Sequence, residues 1–258
     1  NFGFDHYDAS WYTYNIVGSI EEALAHDKAL YEEQLKDLET FKDEPLSPEQ
    51  LVSYASIEQS LLNQIEWYSI ENVLYLENYY IDQFGGYVAD FNSCMEDYVA
   101  RKEQDVVDII DFIESTSEAF PSYLVYLEEK TKAGYGLSDT TINGMKGYLD
   151  DILEEDEYYL VEILRQKFNG LSFLTDAEKA AYIAEMEQAV NTHLVPAIKE
   201  LNDGLDEYLG TLKKSEEGYL TVYEEGLKLY ELKLADLLGY KEFDLEEYIK
   251  VVDEDTPN

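Results

Sequence analysis

The stretch Thr175-Asp176-Ala177-Glu178-Lys179-Ala180-Ala181-Tyr182, running on through Met186, Val190 and His193 to Pro196, decides the fold class. Thr175 with Glu178 three residues later is a capping box: each side chain can take up a backbone N–H that the first helical turn leaves open. Tyr182, Met186, Val190 and His193 then recur at spacings that put them on one helical face. The spacing predicts a long helix that Pro196 bends without ending.

The same grammar repeats along the chain. Ser19 with Glu22 opens a helix over about Ile20–Phe41, on which Leu24, Leu30, Leu35 and Leu38 share a face. Ser47-Pro48-Glu49-Gln50 restarts after Pro45 with an N-cap, proline in the first turn and glutamine at the third position. Leu51, Tyr54, Leu61, Ile65, Tyr68, Leu76 and Tyr80 carry that helix's apolar stripe towards Gly85-Gly86. Further helices are expected over about Tyr87–Val99, Glu103–Ser115, Pro121–Ala133, Thr140–Leu153, Tyr158–Phe168 and Thr221–Leu238. Lys213–Glu217 reads as a polar turn, Asp244 with Glu247 as the cap of a short last helix, and 253–258 as a frayed tail. No period-two alternation and no regular repeat occur, so the class is all-α, an irregular array of about nine or ten helices in one domain over 1–258.

Composition narrows the chemistry. Fifty-seven acidic residues against 18 basic ones give a net charge of −39, which repels nucleic-acid phosphates and anionic lipid. No run approaches the ~18 apolar residues of a membrane span. Asn1-Phe2-Gly3-Phe4 has neither the basic nor the apolar region of a signal peptide, so the chain reads as an extracellular or cell-surface form with its leader removed, with the cytosol as alternative. Zinc, thiol or histidine-base chemistry would have to use His6, His26, His193 or Cys94. None of these sits in a motif. Cys94 alone can close no internal disulfide. His193, on an apolar face with no second histidine at helical spacing, reads as a structural residue. The acidic run Asp150-Asp151 and Glu154–Glu157 lacks the alternating acids and central glycine of a calcium loop and reads as a solvated junction.

The 24 tyrosines are the second departure from average composition. A tyrosine buries its ring and keeps its hydroxyl wet, which suits half-buried helix packing and, second to that, a sugar- or peptide-binding face. Tyr68, Tyr75, Tyr79, Tyr80, Tyr87, Tyr219, Tyr223 and Tyr230 are the candidate interaction residues. No catalytic, cofactor or metal ligand is assigned.

Several segments taken in order resemble the N-terminal half of bacterial domain-of-unknown-function family 885. They are Leu46–Gln50, Tyr98-Val99-Ala100-Arg101-Lys102-Glu103-Gln104-Asp105-Val106, Glu128–Gly134, Leu174–Tyr182, Leu194-Val195-Pro196-Ala197 and Glu225–Tyr230. The resemblance runs from about residue 20 to 250. It departs before Gly226, where Val222, Tyr223 and Glu224 stand in place of a frequent proline. Members resemble zinc metallopeptidases, many secreted or lipid-anchored, with a His-Glu-x-x-His motif in their C-terminal half. Two histidines one turn apart would there hold the metal while the glutamate polarises water. This chain has no such motif. The resemblance therefore implies a helical scaffold and substrate-groove portion, inactive alone and without a cofactor. Its partners are then the C-terminal catalytic half, where zinc is expected, and a peptide substrate. The alternative is a free-standing helical module that captures peptide or glycan on a tyrosine-rich face; a third reading is a degenerate enzyme that uses carboxylates alone.

Overall fold

The computed structural model describes residues 20–76, 80–154, 157–212, 223–238 and 250, and among them every regular element is helical. In chain order these are α1 (Ile20–Glu39), α2 (Pro48–Trp67), α3 (Val73–Leu76), α4 (Gly86–Asp97), α5 (Glu103–Lys132), α6 (Asp139–Leu153), α7 (Tyr159–Asn169), α8 (Asp176–Ala189), α9 (Val195–Leu205) and α10 (Glu224–Leu238). The all-α class is as expected from the stripes and caps. The segments 213–217, Gly239, Asp244, the Ser19 cap and the tail lie outside the described residues.

The chain forms two compact units. One holds α4 to α9. The 30-residue α5 is its axis, with α8 and α9 packed along it, α6 against α9, α7 against α8 and α4 against α7. Its core is aromatic: Phe91, Phe112, Phe120, Tyr123, Tyr126 and Phe168 are buried. Phe91 meets Phe112 and Phe120 at ring distances of 5.0 and 5.7 Å. The second unit holds α1, α2, α3 and α10; α2 packs against both α1 and α10, and α10 also meets α3.

Both capping boxes past residue 40 form. Ser47 Oγ accepts from Gln50 N and Gln50 Oε1 from Ser47 N; Thr175 and Glu178 do the same at α8. The helix begun at Pro48 does not run to Gly85, however. It stops at Trp67, and Asn72 takes a left-handed φ of 56° before α3. Asparagine is among the few side chains that tolerate that conformation. A second correction concerns the helices read over Glu103–Ser115 and Pro121–Ala133, which are one. Pro121 lies inside α5. Its missing N–H removes one bond of the ladder; around it Ser115, Thr116, Ser117 and Ser122 donate their hydroxyls to carbonyls one turn back, a bonding that lets a helix bend without ending. The full burial of Ala119, Phe120 and Tyr123 holds the joint in place.

At Pro196 the helical run is continuous from Asp176 to Leu205. The accommodation is a π turn, Val190–Leu194, in which Val195 N donates to Val190 O. A five-residue hydrogen-bond step ahead of the proline absorbs its missing donor, while Asn191 Nδ2 and Thr192 Oγ1 donate to the carbonyls of Glu187 and Gln188.

Two glycines are obligatory before α4. Gly85 and Gly86 have φ of 109° and 51°. A Cβ on Gly86 would lie 2.2 Å from the carbonyl oxygen of Tyr80, and one on Gly85 2.6 Å from the Tyr148 ring. The turn is fixed further by Asp82 Oδ1, which accepts from Phe84 N and Gly86 N.

Candidate functional site

The C-terminal ends of α4 and α7 open on one groove of about 460 Å3. Glu96, Asp97, Tyr98 and Val99 line it from α4 and the chain leaving it. Gln166, Lys167, Phe168 and Leu171 line it from α7, with Ile109 of α5 at the floor. Phe168 and Ile109 are buried and Val99 is 71% exposed, so the floor is apolar and the lip is open.

Lys167 sits where carbonyls accumulate. Its Nζ donates to Met95 O (3.1 Å), Tyr98 O (2.7 Å) and Glu96 O, which uses all three of its protons on the end of α4. Burial pulls its pKa down and the Asp97 and Glu96 carboxylates oppose that. Three carbonyl acceptors favour the charged form, so we read Lys167 as an ammonium that caps the negative end of α4. It has no proton left for a ligand anion. Cys94 is half-buried, and burial followed by the Asp97 charge pushes its thiol up. A thiol raised in this way is a poor nucleophile.

Behind the groove lies a polar network that the sequence reading did not assemble. Asn92 of α4 is buried; its Nδ2 donates to the hydroxyl of Tyr148 (2.9 Å), and its Oδ1 accepts from that of Tyr158 (2.8 Å). The ring of Tyr159 lies 5.4 Å from that of Tyr158. Burial raises the pKa of Tyr148, Tyr158 and Tyr159, while Tyr98, buried and then facing Asp105 and Asp108, is pushed up to about 12. All four stay neutral donors at any physiological pH. Tyr158 and Tyr159 are adjacent in the sequence, but nothing local announces that Asn92 and Tyr148 meet the first of them. The arrangement is a shaped, apolar-floored cleft with fixed polar walls; it offers no activated nucleophile or base.

The candidate tyrosines divide between the two units. Tyr80 and Tyr87 come together on the α5 core, where Tyr80 stacks on Tyr123 at 4.9 Å and meets Tyr126 and Tyr87 edge-on at 4.9 and 5.2 Å. Both are half-buried. In the other unit Tyr68 packs on Tyr31 and Trp67 and donates to Asp27 Oδ2, Tyr75 is half-buried on α3, Tyr223 precedes α10, and Tyr230 on α10 is 42% exposed. Tyr79 and Tyr219 lie outside the described residues.

Among the described residues no three His, Cys, Asp or Glu side chains are grouped as a metal ion needs. His26 is exposed beside Asp27, and His193 is half-buried in the π turn. Of the described members of the acidic run, Glu157 pairs with Arg165 and Asp150 accepts from Asn202. No described helix is long and apolar enough to cross a membrane.

No curated protein matches this chain. Its fold resembles the crystal structure of a protein described as the putative lipoprotein from Colwellia psychrerythraea, with a TM-score of 0.66 at 16% identity. The likeness covers 85% of this chain but 39% of that one, so this chain spans well under half of the like-folded protein. Residues 14–254 match the family model described as bacterial protein of unknown function (DUF885), and the chain belongs to that family.

Proposed function

We propose that this chain is the helical scaffold and substrate-groove portion of a larger, cell-surface protein of metallopeptidase-like type, whose catalytic His-Glu-x-x-His half lies elsewhere in the parent polypeptide. The observation that carries this reading is the coverage: nearly the whole of this chain is used up in matching 39% of a like-folded protein. The groove supports it from the chemistry. Its ammonium group, Lys167, is spent on three carbonyls, and the polar groups behind its wall are spent on one another, with Asn92 held between Tyr148 and Tyr158. Such a wall can hold an extended peptide while reactive groups come from another segment. The lipoprotein description of the like-folded protein supports the surface location.

The test is to produce this chain together with the rest of its parent polypeptide. The reading expects a stable complex that hydrolyses peptides and loses that activity to a chelator, with neither part active alone. It is overturned if the parent gene encodes nothing beyond this chain, or if both parts fold yet neither associate nor gain activity together. The free-standing binding module would then stand in its place.

A further inference from the structure

α10 is apolar on opposite sides. Leu229, fully buried, and Ala235 face its own unit, and Asp236 on that side accepts from Asn63 of α2 at 2.6 Å. Leu227, Tyr230 and Leu238 recur at i, i+3 and i+11 on the other side, with Leu237 beside them, and are 46, 42, 41 and 80% exposed. A surface helix of a globular protein carries one apolar face; a helix apolar all round is one that is covered all round. On this logic the outward face of α10 lacks its cover.

Three occupants can be weighed. A second copy would bring two chains of −39 together, a repulsion that opposes close approach at ordinary salt. Anionic lipid is opposed by the same charge, and α10 carries only Lys228 and Lys233 against Glu224, Glu225, Glu231 and Asp236. A covalently linked segment pays no such encounter cost, and the like-folded protein is long enough to supply one. We propose that the outward face of α10 is the seat of an apolar segment from the rest of the parent polypeptide, bordered by Lys and Arg that answer the acidic surroundings. This rests on the scaffold reading above and names its contact surface.

The test compares the purified chain with a Leu227→Ser/Leu237→Ser variant, each titrated with the rest of the parent polypeptide as a separate chain. A Phe84→Ser/Val125→Ser variant, altered at exposed positions of the other unit that lie outside the groove, is the control. The leucine variant should keep its helical dichroism and bind at least about tenfold more weakly at moderate salt; the control should bind as the native chain does. If the leucine variant binds unchanged while the native chain forms a complex, this face is wrong and the scaffold reading stands. If both parts are folded by dichroism and the native chain still forms no complex, both fall. If the native chain sediments as a dimer that the leucine substitutions dissolve, the occupant is a second copy and the proposal is overturned.

Discussion

The two units bury their apolar side chains differently. In the α4–α9 unit, α5 is flanked along its length, and its large side chains, from Val106 to Leu127, are almost all sealed. In the α1–α3 and α10 unit the described core amounts to Leu61, Ile70, Val73, Leu76, Leu229 and Ala235, while Leu51, Val52, Ile57, Leu62, Leu227 and Leu237 stay in water. A core that closes on itself makes a unit self-sufficient; apolar side chains left outside mark one that is finished by something else. Hydrogen exchange should separate the two, with α5 amides opening last and α2 and α10 amides first.

The largest effect should come from the closed core. Phe120, with no exposure and rings on both sides, should cost about 3–5 kcal/mol when changed to Ala, because the surrounding rings can only partly collapse. Leu237→Ser should stay within about 0.5 kcal/mol in the chain alone. Urea titrations measure both. Similar losses at the two sites would mean that α10 is already covered and the contrast is false.

Next come two glycines with positive φ. Gly86→Ala combines a left-handed backbone with a Cβ 2.2 Å from the Tyr80 carbonyl, so it should move the α4 turn and cost more than the ~1–3 kcal/mol of backbone strain alone. Gly134, which closes α5 with φ 95° and has nothing near its missing Cβ, carries only the strain. Thermal melting should rank Gly86→Ala well below Gly134→Ala; equal melting temperatures would show that the Tyr80 loop yields freely.

These positions show what was legible in the chain. The caps at Ser47 and Thr175 were, because a capping box is complete within four residues. The unity of α5 was not. Ser115-Thr116-Ser117 and Pro121 are local stop signals, and they lose to the burial of Phe120 and Tyr123 against residues far along the chain. The end of α2 was hidden for the opposite reason: its apolar stripe continues past Trp67, but Asn72 turns the backbone. Of the candidate tyrosines, Tyr80 packs on Tyr123 and Tyr126 and Tyr87 on Tyr123, contacts between residues far apart in the chain. The groove was invisible, because it exists only where the ends of α4 and α7, some 70 residues apart, are brought together.

A smaller effect should appear in alkali. Tyr98 is raised from 10.0 to about 12, so below pH 10 both states hold the proton and its contribution is complete. Between pH 10 and about 12 the unfolded chain ionises while the folded one resists, and stability falls as pH rises through that window. Tyr148, Tyr158 and Tyr159 are shifted the same way. Tyr98→Phe should therefore unfold less steeply with pH above 10 than the native chain, as followed by dichroism. An unchanged slope would mean that the phenol is already solvated.

The finest comparison sets the two capping boxes against each other. At α2 the returning side chain is the neutral Gln50, whose Oε1 accepts from Ser47 N at 2.8 Å; at α8 it is Glu178, whose Oε2 accepts from both the N and the Oγ1 of Thr175 at 2.7 Å. Ser47→Ala and Thr175→Ala should each cost about 1 kcal/mol at neutral pH. Acid should then separate them. The Thr175 hydroxyl and backbone N–H hold Glu178 below its ordinary value of 4.5, so its share of stability is present above that value and is lost as pH falls through the lower, folded one. The penalty of Thr175→Ala should therefore shrink in that window, and Glu178→Gln should abolish the shrinkage. Ser47 keeps its bond from Gln50 throughout, although Glu49, also lowered by its bonds to the backbone and to the Ser47 hydroxyl, adds a weaker acid dependence there. If the two alanine penalties fall in parallel with pH, the charge on Glu178 contributes nothing beyond what the neutral glutamine supplies, and the α8 box works by geometry alone.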